Sequence, residues 1–326
     1  MQANMRGAPG RYNAPYQGVP TFLRQDYCDD ISTMDADIAI LGVPTDEGSP
    51  FMGGSRFAPR SIREHSLRFG SEGYYNVRTD KDYLRWETAN RRIVDVGDSD
   101  VLGTGIEQTF GNITDDVAAI LERGAMPVTI GGDHAITYPV VRAFREPIHV
   151  LHFDAHMDYQ PFVHGLQYTN GHPFRQIKPL EHVLSLTQIG IRSLRSGAQE
   201  FSDARADGSR IVTMGELDRL GPEGFVFDTL PRGEKAYVSI DVDVYDMTLV
   251  PGCVSAEPGG VTYQQLRDML QAVSRHMEIV GFDFVEVNPQ LDVGTGVTSY
   301  LGAHTVVEFL GAICEQPWWH KRTGRG

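Results

Sequence analysis

The chain is short of cysteine, of positive charge and of long apolar runs, and each shortage closes off a class of protein. Its 326 residues hold three cysteines, Cys28, Cys253 and Cys314. They are odd in number, far apart and form no CxxC pair, which argues against a disulfide framework and gives no zinc knuckle. Lys and Arg number 29 against 43 Asp and Glu, a net charge of −14. Such a field repels nucleic acid and anionic membrane surfaces, so neither is an expected partner, and it suits a small cationic ligand. No apolar stretch reads as a transmembrane segment, and the opening Met1-Gln-Ala-Asn-Met-Arg6 has no signal-like apolar core. The expected location is the cytoplasm, and the Asn112-Ile-Thr114 sequon is expected to be a chance match. Internal repeats, low-complexity tracts and Ser/Gly-rich linkers are lacking too, which leaves no obvious point of division.

What is present alternates. Residues 1–36, rich in Gly, Pro, Tyr and Asn, show no period and read as an N-terminal arm. From 37 onward apolar strand candidates fall at 37–43, 126–130, 147–153, 184–190, 236–242 and 278–285, with shorter ones at 92–94 and 210–212. Helical patterns lie between them, near 58–66, 107–123, 135–144, 196–205, 261–274 and 302–313. Continuous apolar strands between helices predict a mostly parallel sheet covered on both faces. The expected fold is a single three-layer α/β/α domain over 37–326.

The polar residues that carry chemistry fall where strands run out. GGDH at 131–134 follows MPVTI, Asp154-Ala-His156-Met-Asp158 follows HVLHF, and Asp241-Val-Asp243 ends AYVSI. Ligands of open α/β sheets gather outside the carboxyl ends of the strands. Alternate residues of an extended segment point the same way, so Asp154, His156 and Asp158 can converge, as can Asp241 and Asp243. Asp246 reads as a turn cap. Two imidazoles and four carboxylates gathered in an apolar interior need a cationic partner. Mixed imidazole and carboxylate ligation suits Mn, Fe, Co, Ni or Zn better than calcium, and a pair of such ions supports hydrolysis. Gly103-Thr-Gly105 fails as a dinucleotide fingerprint, because no strand leads into it and the third glycine is missing.

GGDHAIT at 131–137, HFDAHMD at 152–158 and SIDVDVYD at 239–246 resemble the three signatures of the ureohydrolase (arginase and agmatinase) superfamily. Gly42-Val-Pro-Thr-Asp46, the segment Gly54 to Arg63, Asp95-Val-Gly-Asp98 and Val285-Glu-Val-Asn-Pro289 resemble its agmatinase and guanidino-acid branch. The likeness spans roughly 37–313. It implies an arginase-like domain and two divalent ions, Mn²⁺ or in some members Ni²⁺. One ion would be held by His134, Asp154, Asp158 and Asp241, the other by Asp154, His156, Asp241 and Asp243. It further implies attack of a metal-bridging hydroxide on a guanidinium carbon, yielding urea and an amine. Glu286 would bind the guanidinium and Asp158 would pass the proton. A homo-oligomer, trimer or hexamer, is the implied assembly.

The resemblance breaks at Tyr168-Thr-Asn170-Gly-His172-Pro-Phe-Arg175. Guanidino-acid hydrolases carry a histidine where this chain has Asn170, and asparagine is no general acid near pH 7. Asn170 is then a substrate contact, and His172 or His164 is the candidate to take over the proton shuttle. Phe51, Phe69, Tyr74 and Tyr75 are candidates for a pocket wall, and Trp318-Trp319 for a packing plug or subunit contact. The substrates this pattern points to are agmatine or a guanidino acid, with free guanidine or a small N-alkylguanidine as the alternative. A reading of another class is a subunit of a hetero-oligomer that needs a paralogous partner.

Overall fold

The computed structural model describes residues 14–325. Eleven strands and ten helices alternate along it. The strands are β1 (Asp26–Tyr27), β2 (Ile38–Val43), β3 (Tyr74–Asn76), β4 (Lys81–Tyr83), β5 (Ile93–Asp98), β6 (Met126–Gly131), β7 (Ile148–Phe153), β8 (Val183–Ile191), β9 (Arg210–Thr213), β10 (Lys235–Asp241) and β11 (Glu278–Val285). The helices are α1 (Ala58–Ser66), α2 (Arg85–Ala89), α3 (Ile106–Glu122), α4 (Thr137–Arg142), α5 (Pro173–Ile177), α6 (Ala198–Ala206), α7 (Met214–Thr229), α8 (Tyr263–His276), α9 (Val297–Cys314) and α10 (Pro317–Thr323).

Nine strands form one sheet in the order β1-β5-β2-β6-β11-β10-β7-β8-β9, and its neighbouring pairs are parallel. The period-2 alternation of each strand feeds two separate cores. Ile38 and Ile40 of β2 and Val238 and Ile240 of β10 join the apolar faces of α1, α7, α8 and α9. Ala39, Leu41 and Val43 of β2 and Tyr237 of β10 face the other way, onto α3, α4, α5 and α6. This is the expected three-layer α/β/α arrangement. Helix α9 has the length and apolarity of a membrane span, but 72% of it is buried inside the protein.

Several elements were not expected. β1 lies in the arm and pairs with β5, so residues 26–27 extend the sheet at its edge. The hairpin β3–β4 places Tyr74 edge-on to Tyr83, with its hydroxyl donating to the Val307 carbonyl of α9. Helix α7 escaped notice because Gly215, Gly221, Pro222 and Gly224 interrupt its pattern, and Gly221 is left-handed (φ 73°) where two helical segments meet. Trp319 is fully buried, a packing plug. All three cysteines are free thiols.

The sheet order is what assembles the site. β6, β11, β10 and β7 are consecutive neighbours at the centre of the sheet, although they come from distant parts of the chain. Their carboxyl ends deliver His134, Glu286, Asp241 and Asp154 to one place. Gly132 permits the approach, since a Cβ there would meet the Thr45 carbonyl oxygen at 1.7 Å.

Candidate metal centre

Beyond those strand ends lies a cavity of about 230 Å³ whose floor includes His156, Asp158, Asp241, Asp243 and Glu286. His134 Nδ1 stands 3.0 Å from Asp154 Oδ2, 3.1 Å from Asp158 Oδ2 and 3.0 Å from Asp241 Oδ2. One imidazole nitrogen cannot satisfy three carboxylates, so the four groups are aimed at a shared point. A second gathering joins His156 Nδ1 to Asp154 Oδ1 at 3.3 Å and Asp243 Oδ2 at 3.0 Å. Asp243 Oδ2 makes no aligned hydrogen bond despite that proximity and is buried, as a ligand oxygen facing a common centre would be. Asp154 belongs to both gatherings. All six residues predicted as ligands therefore come together.

The backbone fixes these side chains. The His156 amide donates to Asp154 Oδ1 (2.5 Å), the Ala155 amide to Asp243 Oδ1 (3.0 Å) and the Asp243 amide to Asp241 Oδ1 (2.8 Å). Asp158 and Glu286 hold left-handed backbones, φ 46° and 67°. Such a conformation costs about 1–3 kcal/mol in a non-glycine residue and persists where the surroundings enforce it, often at working sites.

The charge balance tests whether cations fit. Burial favours neutral carboxyls: it carries Asp158 up to about 7 and also raises Asp241, Asp243 and Glu286. Burial works against a charged imidazole too, yet the carboxylates prevail, lifting His134 well above its usual range and His156 up to about 12. Asp154 alone is held well below its usual range, because His152, His134 and His156 outweigh its burial. The cluster thus retains protons wherever a cation could serve. Four ligand carboxylates match two divalent ions in charge, and the oxygen and nitrogen donor set suits them.

Glu286 is nearly fully buried and receives the His134 amide (3.0 Å) and Asn170 Nδ2 (3.1 Å), both on Oε1. Asn170 lines the cavity. The two loop histidines do not join it. His172 is buried at the start of α5 with Nδ1 against Thr169 Oγ1 (2.7 Å), and it does not line the cavity. His164 sits exposed on a left-handed turn, likewise outside the lining. Of the four aromatic candidates only Phe51 reaches the cavity; Phe69 stacks on Tyr300, and Tyr74 and Tyr75 belong to the β3–β4 hairpin.

Sequence reasoning missed the groups behind the ligands. His152 Nε2 lies 2.7 Å from Asp154 Oδ2, its ring stacked on Phe174 at 3.6 Å; its place near the end of β7, two residues before Asp154, was the available signal. His134 Nε2 contacts Ser239 Oγ (2.8 Å), which donates to Asp283 (2.7 Å). Asp283 is fully buried and also accepts from Thr137 and Tyr237, so a carboxylate between Phe282 and Phe284 was the clue. Glu257 Oε1 is 3.5 Å from His156 Nε2. A histidine that ligates through Nδ1 carries its proton on Nε2, and Glu257 is an acceptor for it. Cys253 places its sulfur near Asp241 and Asp243, but burial first and the neighbouring carboxylates second keep the thiol protonated.

Comparison with known proteins agrees with this geometry. The model of the arginase family matches residues 36–311. Guanidinopropionase of Pseudomonas aeruginosa is 32% identical over 307 residues, covering 92% of this chain and 93% of that protein. Guanidinobutyrase of the same organism is 30% identical, covering 95% and 97%. The solved structure of proclavaminate amidino hydrolase from Streptomyces clavuligerus superimposes with a TM-score of 0.82 at 30% identity, over 92% of this chain and 98% of that one. With a parallel sheet that brings His134, Asp154, His156, Asp158, Asp241 and Asp243 together at one place, the chain belongs to the arginase family.

Proposed function

We propose that this protein hydrolyses a guanidino compound to urea and an amine at a centre of two divalent cations. The observation that carries the reading is the buried Glu286 carboxylate, set in the same cavity as the carboxylate and imidazole cluster. His134, Asp154, Asp158 and Asp241 would hold one ion, and Asp154, His156, Asp241 and Asp243 the other. When bound, such a pair supplies Lewis acidity and a water activated at neutral pH.

The chain's own groups do the rest. Glu286 accepts N–H bonds from the guanidinium in a charge-assisted pairing. The His134 amide and Asn170 Nδ2 steady its Oε1. Hydrolysis joins a water oxygen to the guanidinium carbon and breaks one C–N bond, and the departing nitrogen needs a proton. Asp158, at the cavity floor, takes a proton from the water and returns it to that nitrogen. Asn170 binds and orients but transfers no proton. Phe51 and Met52 line the cavity with exposed side chains, an apolar contact for the substrate at its solvent side.

Mn²⁺ is the ion that an oxygen-rich set favours, and Ni²⁺ is the alternative. The cytoplasm is the proposed location and a homo-oligomer the proposed state. The deciding experiment is urea release by the purified protein loaded separately with Mn²⁺ and Ni²⁺. Its panel holds guanidinopropionate, guanidinobutyrate, agmatine, arginine, guanidine and methylguanidines. Urea from one of them supports the reading. None from any, with both ions bound, would overturn it for the isolated chain and turn attention to a paralogous partner.

A further inference from the structure

We infer that Arg195 is the specificity-determining residue, which selects a guanidino compound whose far end is a carboxylate. The inference rests on the proposed placement of the guanidinium at Glu286.

Charges in the cavity are almost all negative and almost all committed. Asp158, Asp241 and Asp243 belong to the proposed metal centre, and Glu286 faces the guanidinium. The remaining acid in the lining is Glu200, whose Oε1 accepts the Gly197 amide at 2.8 Å and closes the first turn of α6. No lining carboxylate among the described residues is left to receive the ammonium of agmatine or the α-amino group of arginine. Besides His156, which belongs to the proposed metal centre, one lining residue among them is cationic, Arg195, on the loop between β8 and α6. Its side chain is 58% exposed, so it reaches the open part of the cavity.

The guanidinium of Arg195 is positioned yet incompletely used. Nε donates to Glu257 Oε1 (3.0 Å) and Nη2 to the Ser255 carbonyl (2.9 Å). Nη2 also lies 2.5 Å from His156 Nε2. With Nδ1 of His156 turned to the carboxylate cluster, Nε2 is a donor, and two donors do not pair. Glu257 is the acceptor that suits His156, so Nη2 keeps its bond to the Ser255 carbonyl and its second proton is left for another acceptor. Nη1 has no partner among the described residues. A guanidinium with open donors, one histidine ring away from the metal centre, is a fork for a carboxylate on a short tail. A diamine tail would meet the same charge and be repelled.

The test compares kcat/KM of the metal-loaded protein for guanidinobutyrate, guanidinopropionate, agmatine and the uncharged-tail propylguanidine. The acids should lead. In Arg195→Gln the ratio of the better acid to propylguanidine should fall about 10–100-fold, the span of one charge-assisted hydrogen bond set. The loss should lie mainly in KM, and Arg195→Glu should bring agmatine above the acid. Preference for agmatine or propylguanidine by the native protein would overturn the assignment, as would an unmoved ratio in Arg195→Gln. Calorimetry separates this from the failure of the proposed hydrolysis. The unreactive 4-aminobutyrate should bind the metal-loaded native protein more tightly than butylamine or putrescine, and lose that lead in Arg195→Gln. Equal binding of the three ligands refutes the role of Arg195 whether or not any urea is released.

Discussion

The floor and the rim of the cavity are held by different forces. The floor stands on the ends of four adjacent strands, and each of its carboxylates is fixed by backbone amides or imidazoles inside the protein. The rim is made of loops: Phe51 is 81% exposed, Arg195 hangs from a loop, and Asn170 closes the segment after β7. A strand end cannot shift without disturbing a sheet, so the floor is suited to chemistry that demands fixed distances. Loops change at small cost to the core, which makes the rim the place where substrates are told apart. On this division, floor substitutions should abolish metal binding, and rim substitutions should change substrate preference without emptying the centre.

The largest effect should follow Asp154→Ala, because Asp154 joins both ligand gatherings. Metal content, measured by mass spectrometry after dialysis, should fall from about two ions per chain toward none, with urea release down by at least about a thousandfold. Circular dichroism should show the fold retained. Normal metal content would refute the bridging position of Asp154 outright.

Next comes the layer behind the floor. Asp283→Asn weakens the chain from Asp283 through Ser239 to His134, and groups that orient a ligand histidine are worth about 10–100-fold in metal affinity. Equilibrium dialysis should show that loss at one of the two ions, with the melting temperature of the metal-free protein changed less. Unaltered affinity at both ions would reduce Asp283 to a packing role.

Proton balance gives a third test of the floor, with a sign that metal should reverse. Asp158 titrates near 7 in the folded protein against an ordinary 3.8, and His156 near 12 against 6.5. Both folded values are raised, so both groups stabilise the metal-free fold when protonated and lose that contribution as pH rises through the folded value. His152, lowered to about 4 by burial, works the other way, but only below its ordinary 6.5. Between about pH 6.5 and about pH 8.5 the metal-free melting temperature should therefore fall. With metal bound it should hold or rise, since ligation displaces those protons and strengthens with pH. A metal-free melting temperature that rises over this window would contradict the proton-retaining cluster.

The rim should respond more gently. Asn170→His puts an ionisable ring beside Glu286 and should shift the ranking of guanidino compounds by about tenfold, while adding a pH limb near 6.5 to kcat. Metal content should stay the same. An unchanged ranking would show that this loop does not choose the substrate.

The same division explains what the sequence could disclose. His134, Asp154, His156, Asp158, Asp241 and Asp243 were legible because each follows a short apolar run whose length and β-branched content favour a strand, and period 2 fixes which residues share a face. The sheet was legible for the same reason. Glu286 needed the family likeness, since a single acid after a strand has many ordinary uses. Arg195 and Glu257 were not legible at all. They meet at His156 only because β8 lies beside β7 and the loop after β10 folds back over it, a closeness absent from local pattern. The β3–β4 hairpin and α7 were hidden by polar and glycine-rich composition.

His172 and His164 show how a loop defeats position-based reasoning, and they supply the smallest expected effect. In sequence His172 is two residues from Asn170, as good a proton carrier as any. In the fold it opens α5, where Pro173 fixes the first turn and Thr169 holds its Nδ1. His164 sits on an exposed left-handed turn between two bridged residues, Val163 and Leu166. Neither ring lines the cavity, so neither is placed to protonate a leaving amine there. His164→Ala should thus change kcat/KM by less than about twofold, in the range of ordinary exposed substitutions. The pH profile of kcat should keep its shape. A loss of tenfold or more, with metal content intact, would mean that the 160–172 segment closes over the substrate during turnover and that the boundary between floor and rim moves within the catalytic cycle.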